Sequence, residues 1–103
     1  AQAQAQAQSQ TNQPNSQPRL IKHLAWCTGG GQGYLEAAAQ AGVDAFITGE
    51  ASEQTTHIAH EYDVMFIGAG HHATERYGVQ ALGEHIQSQW DLDVSFIDLS
   101  NPV

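Results

Sequence analysis

The sharpest chemical signal in the sequence is Gly70-His71-His72-Ala73-Thr74-Glu75. His71 and Glu75 stand four residues apart at a predicted strand-to-helix junction. That spacing puts both side chains on one side of a first helical turn. An imidazole nitrogen with a carboxylate oxygen is a donor pair for Zn, Mn or Fe, and the preceding Gly70 lets a ligand approach the backbone closely. The plainer alternative is that Glu75 complements the helix dipole while His71 acts as a cap. Two donors do not complete a site, since a closed zinc site takes about four. Any metal held here must draw on residues from elsewhere.

Three further groups bear on that chemistry. Glu50 follows a glycine at the end of a predicted strand, where it either supports a ligand from behind or accepts hydrogen bonds from loop amides. Glu53, His57 and Glu61 lie at four-residue intervals and share one helix face; with His60 they could add donors to a metal site, while His60 and Glu61 read better as a solvated surface with weak pairing. Thr28-Gly29-Gly30-Gly31-Gln32-Gly33 falls between a strand and a helix, a place where backbone amides can receive a phosphate. The dinucleotide fingerprint G-x-G-x-x-G fails there, because the sixth position is Tyr34 counted from Gly29 and Glu36 counted from Gly31. A tight turn and close packing explain these glycines better than a phosphate site, and Gly29, Gly30 and Gly31 are candidates for a loop that shapes a pocket. Cys27 has no basic neighbour to favour a thiolate and reads as a small buried apolar residue.

The elements that position these groups alternate. Leu20–Cys27 is an apolar run broken by glycines, a strand; Tyr34–Ala41 is Ala-rich, a helix stopping at Gly42. Val43–Thr48 is a second strand. Ser52 is an N-cap candidate for a helix to about Tyr62, with Thr55, Ile58, Ala59 and Tyr62 on one face. Val64–Ala69 is the third strand, and a longer helix follows with Val79, Leu82, Ile86 and Trp90 at helical spacing. Asp93–Asp98 alternates and predicts a closing strand at or near an edge. The order β-α-β-α-β-α-β predicts an α/β lobe with a mostly parallel sheet flanked by helices. Trp26, Phe46, Phe66 and Phe96 are expected in its core, while Tyr34, Tyr77 and Trp90 suit a partner surface. In such sheets ligands bind at the carboxyl edge, where Thr28–Gly33, Thr48-Gly49-Glu50 and Gly70-His71-His72 converge.

Composition narrows the classes of function. The 103 residues carry three Lys+Arg against eleven Asp+Glu, a formal charge of −8. A chain so poor in cations cannot neutralise a run of phosphates, which disfavours nucleic acid as a partner. No apolar run approaches the ~20 residues that cross a bilayer. The N-terminus lacks the basic start and apolar stretch of a signal peptide, and a single cysteine suits a reducing compartment; the expected location is cytoplasmic. Residues 1–18 hold no ionisable side chain and no large apolar one, so they read as a low-complexity linker or insert. With no leading Met, the sequence is expected to be a fragment, with residues 19–103 forming one lobe.

Ala25-Trp26-Cys27-Thr28-Gly29-Gly30-Gly31-Gln32, Gly42–Glu50 and Gly70–Glu75, with Phe96-Ile97-Asp98 and Asn101-Pro102, closely resemble the C-terminal part of one family. This is the NGG-interacting-factor-three-like family, also called GTP cyclohydrolase I type 2 homologues. The resemblance runs from about Arg19 to Val103. It implies a dinuclear centre of two divalent transition metal ions (Zn, Mn or Fe) between two similar α/β lobes, in a ring-shaped homohexamer. It further implies His71 and Glu75 as metal ligands, with Glu50 near the site; His72 is not carried over as a ligand. The family's further ligands lie in an N-terminal lobe that this chain lacks. The function expected is thus the C-terminal lobe of a dinuclear-metal protein, a hydrolase acting on nucleotides or phosphorylated compounds, inactive by itself. A non-catalytic metal-binding assembly or regulatory module is the alternative, and a nucleotide-binding module using the glycine loop is a weaker third.

Overall fold

The computed structural model describes residues 18–103, so the expectation for the low-complexity segment falls, Pro18 apart, outside the described residues. Three short strands, β1 (Leu24–Cys27), β2 (Ala45–Thr48) and β3 (Met65–Gly68), form a parallel sheet in the order β1-β2-β3. Trp26 is in register with Ile47, and Ile47 with Ile67. Between the strands run α1 (Leu35–Gln40), entered through a 3-10 turn at Gln32–Tyr34, and α2 (Glu53–Tyr62); α3 (His71–Gln89) follows β3. Connections that alternate strand and helix make adjacent strands parallel, so all three strand-ending turns fall on one edge. No described helix is long and apolar enough to cross a membrane.

Local chemistry sets the boundaries. Asp44 Oδ2 accepts hydrogen bonds at 2.8 Å from the backbone N–H groups of His23 and Lys22, joining the starts of β1 and β2. Those two bonds, His23's foremost, hold the Asp44 carboxyl below its ordinary range. The end of α1 closes as a Schellman motif, with Gly42 N–H donating to Ala39 O and Val43 N–H to Ala38 O. Ser52 caps α2 as expected, through a capping box in which its own N–H donates to Thr55 Oγ1 at 3.0 Å.

One face of the sheet is packed. Leu35, fully enclosed at 0% exposure, meets Phe46 and Val64, with Ala25, Cys27, Ala38, Ala39, Ile58, Ala59 and Phe66 around them. The Phe46 and Phe66 rings lie 6.2 Å apart, tilted by 35°.

The opposite face corrects one sequence expectation. Trp26 is 71% exposed, not core: strand alternation turns Ala25 and Cys27 to the helices and Leu24 and Trp26 away from them. Met65 and Ile67 are exposed on the same side of β3. Parallel sheets are normally covered on both faces, and the described residues cover one.

The closing strand expected at Asp93–Asp98 is absent among the described residues; 91–103 carry no regular element, and Phe96 is exposed. This stretch runs back along α3 instead. Arg76 Nη2 donates to Asp98 at 2.7 Å, the Arg76 guanidinium lies 5.5 Å from the Phe96 ring centre, and His72 N–H donates to Val103 O at 2.8 Å. Alternation produces extended chain, but a strand also needs free amides and carbonyls beside it. A helix has already paired its own. The stripe Val79, Leu82, Ile86 and Trp90 does lie along α3 and just past its end, yet α3 buries no residue, and Val79, Leu82 and Trp90 are exposed.

Candidate metal centre

All three glycine turns meet at the carboxyl edge, as the element order predicts. Thr48, 2% exposed, fastens the first of them: its Oγ1 accepts from Gly31 N–H at 2.9 Å and donates to Gly29 O at 3.1 Å. Sequence reasoning missed this clamp. Its only signal was a hydroxyl residue ending an apolar strand opposite a glycine loop. Thr48→Val keeps the shape and strands the buried Gly31 N–H, so unfolding free energy should fall by about 1–3 kcal/mol, read as a lower urea midpoint at unchanged slope.

Gly49 packs the three turns together. Its N–H donates to Gly29 O at 2.9 Å, and Gly70 N–H donates to Gly49 O at 3.1 Å. A Cβ on Gly49 would lie 2.6 Å from Gly29 O and 2.7 Å from His71 Cα, backbone on both sides. Gly49→Ala should therefore cost about 1–3 kcal/mol and push the glycine loop off His71. Thermal unfolding with a midpoint equal to wild type would refute this.

His71 opens α3, half-buried between two carboxylates. Its Nε2 lies 2.8 Å from Glu75 Oε2, four residues on, and its Nδ1 contacts Glu50 Oε1. The Glu50 hydrogen bond, opposed by the cost of burying charge and aided by the Glu75 carboxylate, raises the His71 pKa above the ordinary imidazole value. A cation taking Nε2 would displace a proton.

Gly29 roofs the pair. A side chain there would begin 2.8 Å from Glu75 Oε1 and 3.3 Å from His71 Nε2. The space a Cβ would fill is left open directly over one nitrogen and one carboxylate donor, a set that suits a borderline divalent ion. Gly30 faces the second Glu50 oxygen, and beside it Gln32 Oε1 is enclosed with no hydrogen-bond partner. Glu50 and Glu75 border the glycine loop, so its charge favours a cation over a phosphate. Among the described residues no three His, Cys, Asp or Glu side chains converge as a complete metal site.

The structure thus gathers His71, Glu75, Glu50, Gly29, Gly30 and Gly31. It leaves Glu53, His57, His60 and Glu61 exposed on α2. His72 turns towards Asp98, with Nε2 3.9 Å from Oδ1.

Comparison with known proteins bears on the fold and the family. The chain is 65% identical over 85 residues to a "GTP cyclohydrolase 1 type 2 homolog" of Yersinia pestis, covering 82% of this chain and 34% of that protein. The homolog so named in Escherichia coli K12 is 58% identical, with the same coverage. The chain spans about a third of the length of these relatives. Among solved structures, the structural-genomics protein ybgI, of unknown function, superposes with a TM-score of 0.73 at 60% identity, over 76% of this chain and 32% of that one. Reduced HcgD from Methanocaldococcus jannaschii gives 0.61 at 26% identity, over 68% and 29%. A family model matches residues 2–102, nearly the whole sequence. On that match, and with relatives this similar, the chain belongs to the Duf34/NIF3 (NGG1p interacting factor 3) family.

Proposed function

We propose that this chain is one lobe of a dinuclear-metal protein, a metal-dependent hydrolase acting on nucleotides or other phosphorylated compounds. The observation that carries this reading is the His71 Nε2–Glu75 pair, 2.8 Å apart beneath a glycine whose missing side chain leaves room for an ion. His71 and Glu75 would be this lobe's ligands. Two divalent ions (Zn, Mn or Fe) held at such a centre would polarise a phosphoryl oxygen and make water a better nucleophile near neutral pH. The Gly29–Gly31 loop, clamped by Thr48, bounds the pocket and keeps bulk solvent from one side of the pair. The further ligands would come from an N-terminal lobe in the two thirds of the relatives' length that this chain does not span, within a homohexamer in the cytoplasm.

The test joins this chain to the part of the Yersinia pestis relative that it does not cover. Elemental analysis should find near-stoichiometric transition metal in the joined protein and far less on the short chain. Nucleotides and phosphodiesters should be hydrolysed with added Mn or Zn, and Glu75→Gln should abolish turnover. Absence of metal from both proteins would sink this reading. Metal without turnover would favour a second one, a non-catalytic metal-holding assembly module. The apolar face around Trp26, which the described residues leave uncovered, and the exposed stripe of α3 support that alternative.

A further inference from the structure

We propose that residues 93–99 are a ready-made strand that pairs, edge to edge, with a strand of the lobe completing the metal half-site. The inference rests on reading this chain as one of two lobes, and it names the surface that holds the other. Val94, Phe96 and Asp98, at alternate positions, all meet α3. A Cβ on Gly83 would lie 2.9 Å from Val94 Cγ1, so that glycine is a notch for the valine. Arg76 holds the other two, its guanidinium over the Phe96 ring and 2.7 Å from Asp98 Oδ2. Contact by every second residue means an extended chain with one face on the helix. Ile97 and Leu99, of the opposite parity, are 77% and 73% exposed. Among the described residues, no backbone N–H or C=O of residues 93–100 has a hydrogen-bond partner.

Chain fixed in this way has already lost much of the freedom that pairing would cost, and it offers an open row of donors and acceptors. An extended segment laid beside such a row gains main-chain hydrogen bonds for affinity and side-chain contacts for specificity. The place of the row selects the partner. His71, Glu75, Val79, Leu82 and Ile86 follow one another along one stripe of α3, and His72, Arg76 and Gly83, beside this stretch, form the next. An apolar stripe thus leads from the metal pair along the unpaired chain, with Val79 and Leu82 exposed on it. A polypeptide that brings further donors to His71 and Glu75 must lie at the head of that stripe. The part of the relatives that this chain does not span would supply it. A second copy carries the same formal charge of −8, which opposes its approach. The ion pairs among the described residues leave Asp91 and Asp93 without a cation, so the added strand is expected to bring a Lys or Arg to that end.

Hydrogen exchange, resolved to single amides by electron-transfer fragmentation, tests this in the short chain and in the joined two-lobe protein. In the dilute short chain, the amides of residues 93–99 should exchange as fast as unstructured peptide. In the joined protein every second one should slow by about 100-fold or more, because a strand paired on one edge bonds through alternate residues. Ile97→Asp, changed where the side chain points away from α3, should leave the unfolding midpoint of the short chain unchanged. In the joined protein it should cut the slowing by about fivefold, the span of strand preference.

Slow exchange at residues 93–99 in the dilute short chain overturns the proposal. Fast exchange there in a joined protein that binds metal overturns it too, and leaves the ligands standing. Slowing that grows with the concentration of the short chain gives the edge to a second copy and overturns the choice of partner. Alternate slowing in a joined protein that takes up no metal keeps the docking and overturns the metal reading instead. If the joined protein fails to fold, the full-length Yersinia pestis relative, read at the positions aligned with 93–99, takes its place with the same outcomes.

Discussion

His71→Ala, introduced into the joined two-lobe protein, should remove transition metal from the preparation and with it the protein's sensitivity to chelators. Among the described residues, the imidazole is the nitrogen donor set under the glycine loop beside Glu75. A ligand that binds only the folded state stabilises it by about 4 kcal/mol at a thousandfold excess over its dissociation constant. The wild-type joined protein should therefore melt several degrees lower after chelation, and the variant should melt at one temperature with or without chelator. Glu75→Gln should behave similarly, since the amide keeps the volume and loses the charge. Metal stoichiometry unchanged in His71→Ala would contradict the assignment outright.

Leu35→Ala should destabilise the lobe by about 2–5 kcal/mol. Leu35 is fully enclosed where the first turn of α1 meets Phe46 and Val64. Removing its branch leaves a cavity that backbone on either side cannot collapse to fill. A domain of 85 residues has roughly 4–13 kcal/mol of stability in total, so the loss is a large fraction of the whole. Leu82→Ala, on the exposed side of α3, should stay within about 0.5 kcal/mol. Urea titration of the three proteins checks both values, and equal midpoints for Leu35→Ala and wild type would refute the packing account.

Much of the site was legible because its parts are local. A glycine after an apolar run ends a strand wherever that strand lies. Ser52 caps whatever helix follows it, and four residues between His71 and Glu75 put them on one helical face regardless of surroundings. The parallel order followed from alternation alone. Those features alone bring Thr28–Gly33, Thr48–Glu50 and Gly70–His72 to one edge.

What remained hidden depends on distant partners. Trp26 reads as a core residue by type, but its exposure is decided by which face of β1 the helices cover. Asp93–Asp98 alternates like a strand, yet a ladder is a property of two segments, and its neighbour is a helix. Thr48 gains its role only when the loop after β1 folds over the end of β2. The contact between Glu50 and His71 spans 21 residues and depends on the near-touching backbones of Gly49 and His71. The sequence by itself determined the first three strands, the helices between and after them, their order and the two donors on one turn, because hydrogen bonding within a few residues specifies those. Tertiary structure alone decided which nitrogen of His71 faces the open space and which sheet face the described helices cover, because both depend on how separate segments stack.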